Sequence, residues 1–190
     1  MKKNRLESFS DGVLAIIITI MVLNLGVPYG DELSALYPLI PVFLAYILSF
    51  INVGIYWIIH HQLINTIPAV TGKILLMNLM LLFWISLMPF TTAWMAENFF
   101  TSGPTMLYGI VILMVTLSIY LLELEIIEMG LNDSLLKKVI GRNKKEKTTI
   151  IFYIIAIFSA LIHPQISQLL YLGIGLNWIL SGMPKILKKS

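Results

Sequence analysis

Four polar side chains stand in otherwise apolar stretches of this chain: Asp11, His60, His61 and Asn78. An aspartate beside a histidine can relay a proton, and histidines can ligate a metal. Both chemistries depend on geometry. Neighbouring helical positions point about 100° apart, so His60 and His61 cannot easily close on one ion. The third histidine, His163, lies at the end of a distant apolar stretch. No His-Glu-x-x-His motif, catalytic carboxylate pair or serine–histidine set is present. The chain has no cysteine, so disulfides and thiolate metal sites are excluded. Neither an enzyme nor an organic cofactor or resident metal is expected, and nothing points to a nucleic-acid partner.

The elements that position these residues are apolar and long. Of 190 residues, 58% are hydrophobic and only 12% charged, against about 25% charged in a soluble domain. Mean hydropathy is +0.88. Six apolar segments fall at about residues 9–27, 37–63, 73–96, 105–126, 148–163 and 166–184, lengths that suit membrane-spanning helices. The fold expected is therefore all-α, one six-helix transmembrane domain over residues 1–190. His163, Pro164 and Gln165 turn the chain between the last two spans, because proline disfavours a helical residue before it. The charged stretch 132–147 reads as a solvated connection, and Glu123, Glu125 and Glu128 as a solvated helix end.

Charge placement orients the spans. All 13 basic residues lie in four stretches: Lys2, Lys3 and Arg5; Lys73; Lys137, Lys138, Arg142, Lys144, Lys145 and Lys147; and Lys185, Lys188 and Lys189. The alternate loops hold only Asp31, Glu32 and Glu97. The positive-inside rule then places both termini in the cytoplasm of a multi-pass cell-membrane protein. With that topology Asp11, His60, His61 and Asn78 gather near the cytoplasmic boundary. Ionisable groups at membrane depth face the protein interior and pair. A polar network of Arg5, Ser10, Asp11, a histidine of the second span (His60 or His61) and Asn78, with Phe9 beside it, is expected to fix the first helix. Ser8-x-x-Asp11 also fits a capping box that would start a helix there. Used as a relay, Asp11 and a histidine would instead suit a proton-coupled secondary transporter. Such proteins bind at the midplane, which here is almost free of ionisable groups.

Beyond Gly12, the residues Ile16, Thr19, Ile20 and Leu23 follow i, i+3, i+4, i+7 spacing and share one face of the first helix. Periodicity alone does not say whether that face meets lipid, protein or a pore.

The pattern Arg5-x-x-x-Phe9-Ser10-Asp11-Gly12-Val13-x-Ala15-Ile16 resembles the signature of the lysosomal potassium channel family, the transmembrane protein 175 family. The likeness continues in Tyr56-Trp57-x-x-His60-His61, Asn78 and Pro89-Phe90-Thr91. It spans the first three segments; the last three match in number and hydropathy. Animal members carry two six-helix repeats, so one repeat suggests a prokaryotic member working as a homotetramer among membrane lipids. The resemblance implies a potassium-permeable channel whose central pore is lined by four first helices. It places a hydrophobic constriction at Ile16, a pore threonine at Thr19 and further apolar rings at Ile20 and Leu23. No Thr-Val-Gly-Tyr-Gly filter loop is present, so selectivity would rest on partial dehydration at an apolar ring. Potassium, less tightly hydrated than sodium, loses less there.

Overall fold

A computed structural model describes the backbone of residues 2–129 and 133–187, and the side chains of residues 2–129 and 145–180. The elements are α1 (Lys3–Leu23), a 3-10 helix (Leu33–Leu39), α2 (Ile40–Thr66), α3 (Gly72–Ser86), α4 (Met88–Glu97), α5 (Ser102–Glu128), α6 (Asp133–Ser159) and α7 (Pro164–Leu187). They form six helical columns, because the 3-10 helix leads into α2, and α3 and α4 make one column. Four segments among the described residues are long and apolar enough to cross a membrane: Lys3–Leu23, Leu33–Thr66, Gly72–Glu97 and Ser102–Glu128. This is an all-α membrane protein.

Three boundaries differ from the hydropathy reading, each for a physical reason. First, α1 begins at Lys3, after an N-cap at Lys2 that makes no side-chain bond. Ser8 and Asp11 therefore lie inside the helix, and no capping box operates. Second, the third span is broken at Leu87. Pro89 has no N–H to give the carbonyl four residues back, which interrupts the ladder. Third, α6 starts at Asp133, so the charged stretch expected as a connection is largely the first half of a helix. Hydropathy marks where a helix meets the bilayer, whereas lysine and glutamate are themselves good helix formers. Glu146 in that stretch is buried, not solvated. The side chains of Lys137, Lys138, Arg142, Lys144 and Lys185, and all of Lys188 and Lys189, lie outside the described residues. Pro164 opens α7, where a missing N–H costs no ladder bond.

Packing sorts the columns into a front and a back. α1 packs on α2, α3 and α4, while α5 packs behind against α2, α3, α4, α6 and α7. α1 buries Leu6, Ser10, Leu14, Ile17 and Met21, a stripe spaced by three and four residues. The carboxylates near the end of α5 are not merely solvated. Glu125 and Glu128 both meet Lys73 at the start of α3, Glu128 at 3.5 Å, and Glu123 is buried.

Inside the bundle, polar groups answer one another, as a lipid environment requires. Ser49 and Thr92 lie 2.6 Å apart through their hydroxyls, and Asn52 donates to the Tyr108 hydroxyl at 3.2 Å. Tyr171 donates to the Thr105 carbonyl at 3.2 Å. Its ring can lie against α5 only because position 109 is glycine: a Cβ there would collide with the Tyr171 hydroxyl and come within 2.7 Å of Ile157 Cγ1.

Candidate pore face and the polar clasp of the first helix

The buried stripe of α1 fixes what its other side presents. Ile16, Ile20 and Leu23 are 59%, 43% and 76% exposed, and Thr19 is exposed beside them. Ile17, one residue on from Ile16, is 3% exposed in the core. The face found by periodicity is therefore bare in the protomer, on the side of α1 away from α2, α3 and α4. Thr19 Oγ donates to its own helix, at 2.8 Å from the Ala15 carbonyl and 2.9 Å from that of Ile16. Its proton is turned inward, so the oxygen lone pairs are free to face whatever lies opposite.

Two polar groupings hold the N-terminal half of α1, where the sequence suggested one network. The first is buried. His60 Nε2 donates to Asn78 Oδ1 at 2.7 Å, Asn78 Nδ2 donates to Ser10 Oγ at 3.1 Å, and Ser10 donates to the Leu6 carbonyl at 3.0 Å. One amide thus ties α1, α2 and α3 together. Ser10, His60 and Asn78 are each no more than 1% exposed.

The second grouping is a clasp along the α1–α2 edge. Lys3, Glu7 and Asp11, one turn apart on α1, meet Asn65, His61 and Trp57, one turn apart on antiparallel α2. Trp57 Nε1 donates to Asp11 Oδ1 at 2.9 Å. His61 Nδ1 lies 2.7 Å from Glu7 Oε1, and Lys3 Nζ donates to the Asn65 carbonyl at 3.0 Å. Asp11 is therefore held by an indole rather than by a histidine or Arg5. His60 belongs to the buried group and His61 to the clasp.

Arg5 and Phe9 join neither grouping. Phe9 is 55% exposed. Arg5 is exposed, and among the described residues its guanidinium makes no hydrogen bond or ion pair. The sequence reading missed Trp57, Glu7, Lys3 and Asn65 as partners. Their signal was present as two antiparallel i, i+4, i+8 rows, but pairing them required the α1–α2 register. No group of three His, Cys, Asp or Glu residues able to hold a metal occurs among the described residues.

Comparison with known proteins places this arrangement. The family model described as endosomal/lysosomal potassium channel TMEM175 matches residues 5–89, the part that carries the buried grouping, the clasp apart from Lys3, and the bare face. A potassium channel from Chryseobacterium sp. (strain P1-3) is 48% identical over 180 residues, covering 95% of this chain and 94% of that one. A potassium channel from Streptomyces collinus is 36% identical over 100 residues, 50% of this chain and 48% of that one. In fold, the chain is similar to the crystal structure of a lysosomal potassium-selective channel TMEM175 homolog from Chamaesiphon minutus, with a TM-score of 0.84 at 24% identity over 94% of this chain and 97% of that one. Similarity to the Chryseobacterium protein over nearly the whole chain, joined to the family match over α1, α2 and α3, shows that this protein belongs to the TMEM175 channel family.

Proposed function

We propose that this chain is the subunit of a potassium-permeable cation channel of the cell membrane. It assembles as a homotetramer with both termini in the cytoplasm, and ions pass along an axis ringed by four copies of α1. The observation that carries this reading is the division of α1: one stripe is locked into the core, and the opposite stripe of Ile16, Thr19, Ile20 and Leu23 is bare. Relatives named as potassium channels support the choice of ion.

In the assembly the four Ile16 side chains converge as the narrowest ring. An apolar ring of that kind dewets, so a cation must shed part of its water shell to cross. Four Thr19 hydroxyls, one turn further along, offer oxygen lone pairs in place of the lost water, since their protons are already committed to the helix backbone. Potassium crosses more easily because its shell is looser. No step requires a cofactor, and the permeant ion is the only small molecule involved.

The test is planar-bilayer recording of purified protein under bi-ionic potassium/sodium conditions. Discrete unitary currents with a reversal potential displaced in favour of potassium are expected. Smooth, saturable flux without unitary steps would overturn the channel reading.

A further inference from the structure

The bare face of α1 does not stop at Ile16. Counting back by four, three and four residues leads from Ile16 through Gly12 and Phe9 to Arg5, and counting on by three and four leads to Thr19 and Leu23. Alternating threes and fours keep all six positions on one helical face, and all six are exposed in the protomer. Arg5 therefore extends the bare stripe at its N-terminal end.

The other charges of α1 point elsewhere and are occupied. Lys3 reaches the Asn65 carbonyl, Glu7 faces His61, and Asp11 accepts the Trp57 indole N–H. Asp11 lies six residues from Arg5, about 120° around the helix, so its carboxylate does not neutralise the guanidinium on the stripe side. Lys2, at the N-cap, adds a further exposed positive charge.

We propose that four copies of Arg5 form a ring of positive charge around the cytoplasmic mouth of the pore, which throttles cation access from inside and makes the channel pass inward current more readily than outward. This rests on the reading of α1 as the pore helix. Arg5 lies eleven residues before Ile16, about 16 Å along the axis. That is roughly two Debye lengths at physiological salt. The ring therefore sets how many ions reach the mouth and leaves the dehydration step at Ile16 almost untouched. Four unit charges about 8 Å from the axis, screened over a Debye length of about 8 Å, lower the local concentration of a monovalent cation about three- to fourfold. At 1 M salt, where the Debye length is about 3 Å, the same ring changes it by less than about 1.5-fold.

The absence of cysteine from the chain allows the charge to be reversed in place. Arg5→Cys channels in a planar bilayer would be modified from the cytoplasmic side with a cationic or an anionic methanethiosulfonate reagent. Neutral Arg5→Cys should raise outward current about threefold relative to inward current at physiological salt. The cationic adduct should restore the native ratio, and the anionic adduct should raise outward current further. The potassium/sodium reversal potential should not move. On the unsubstituted protein, the outward-to-inward ratio should climb towards unity as symmetric potassium chloride is raised to 1 M, which checks the claim even if Arg5→Cys fails to assemble. A ratio indifferent to both adduct charge and salt, in channels where Ile16→Ala still alters conductance, would overturn the Arg5 ring and leave the pore assignment standing. If Ile16→Ala is also silent, the pore assignment itself fails and the ring with it.

Discussion

Replacing Asn78 with leucine should destabilise the protomer through His60. The substitution is close to isosteric, so it removes hydrogen bonds without opening a large cavity. Three contacts are lost: the 2.7 Å bond from His60 Nε2, the 3.1 Å bond to Ser10 Oγ and the longer 3.4 Å approach of Ser10 Oγ to Asn78 Oδ1. Ser10 keeps its bond to the Leu6 carbonyl. His60 keeps nothing among the described residues, because its Nδ1 has no hydrogen-bond partner there and the ring is buried. Interhelical hydrogen bonds in membrane proteins contribute about 0.6 kcal/mol on average and about 1.7 at most, whereas orphaning a buried polar group costs about 1–3 kcal/mol. The second effect dominates here, and the expected loss is about 2 kcal/mol, close to a thirtyfold change in the folded-to-unfolded ratio. Reversible unfolding in detergent micelles measures it. The double variant Asn78→Leu/His60→Leu removes both partners and should recover most of the loss, since apolar replacement of a complete pair is nearly neutral. A single variant within roughly 0.5 kcal/mol of the parent, or a double variant whose cost is the sum of the two singles, would refute the reasoning.

Gly109→Ala should lower the melting temperature, with a cost of about 1–3 kcal/mol from overpacking, because its methyl would strike Tyr171 and Ile157; an unchanged melt would show that α7 yields freely. Asp11→Ala should cost about 1.5 kcal/mol through loss of the charged hydrogen bond from Trp57, lowering the tetramer yield in size-exclusion chromatography while assembled channels keep their ion preference. A well-assembled Asp11→Ala channel with altered preference would assign Asp11 to permeation instead. Cysteines introduced one at a time at Ser34 and Ala69, both exposed, should be labelled by an impermeant maleimide from opposite sides of the membrane; labelling from the same side would contradict the topology.

The parts of this fold legible in the sequence are those set by local composition. Six apolar runs mark six columns because each helix must supply about 20 apolar residues to the bilayer. The stripe through Ile16 and Leu23 follows from the helical repeat alone. The link from His60 to Asn78 and Ser10 was within reach because buried polar groups in a membrane have few alternatives to one another. What stayed hidden depends on register or lies outside the bilayer. Pairing Asp11 with Trp57 and Glu7 with His61 needs the offset between α1 and α2, which no single segment encodes. The ion pairs of Lys73 with Glu125 and Glu128 join residues more than fifty positions apart. The starts of α1 at Lys3 and α6 at Asp133 fall in charged sequence, where a hydropathy profile cannot distinguish a helix from a loop.

The central claim, that the bare face of α1 lines the ion path, is tested most directly by a pair of neighbouring substitutions. Ile16 and Ile17 have the same side chain but point about 100° apart, one 59% exposed and the other 3%. Ile16→Ala should leave the melting temperature nearly unchanged, widen the ring four times over, raise unitary conductance and shift the bi-ionic reversal potential towards equal passage of potassium and sodium. Ile17→Ala should do the opposite: about 2–5 kcal/mol of stability lost from a truncated core side chain, with the reversal potential of surviving channels unmoved. If Ile16→Ala leaves conductance and reversal potential at parental values in a well-assembled tetramer, α1 does not carry the constriction at this face and the account is wrong.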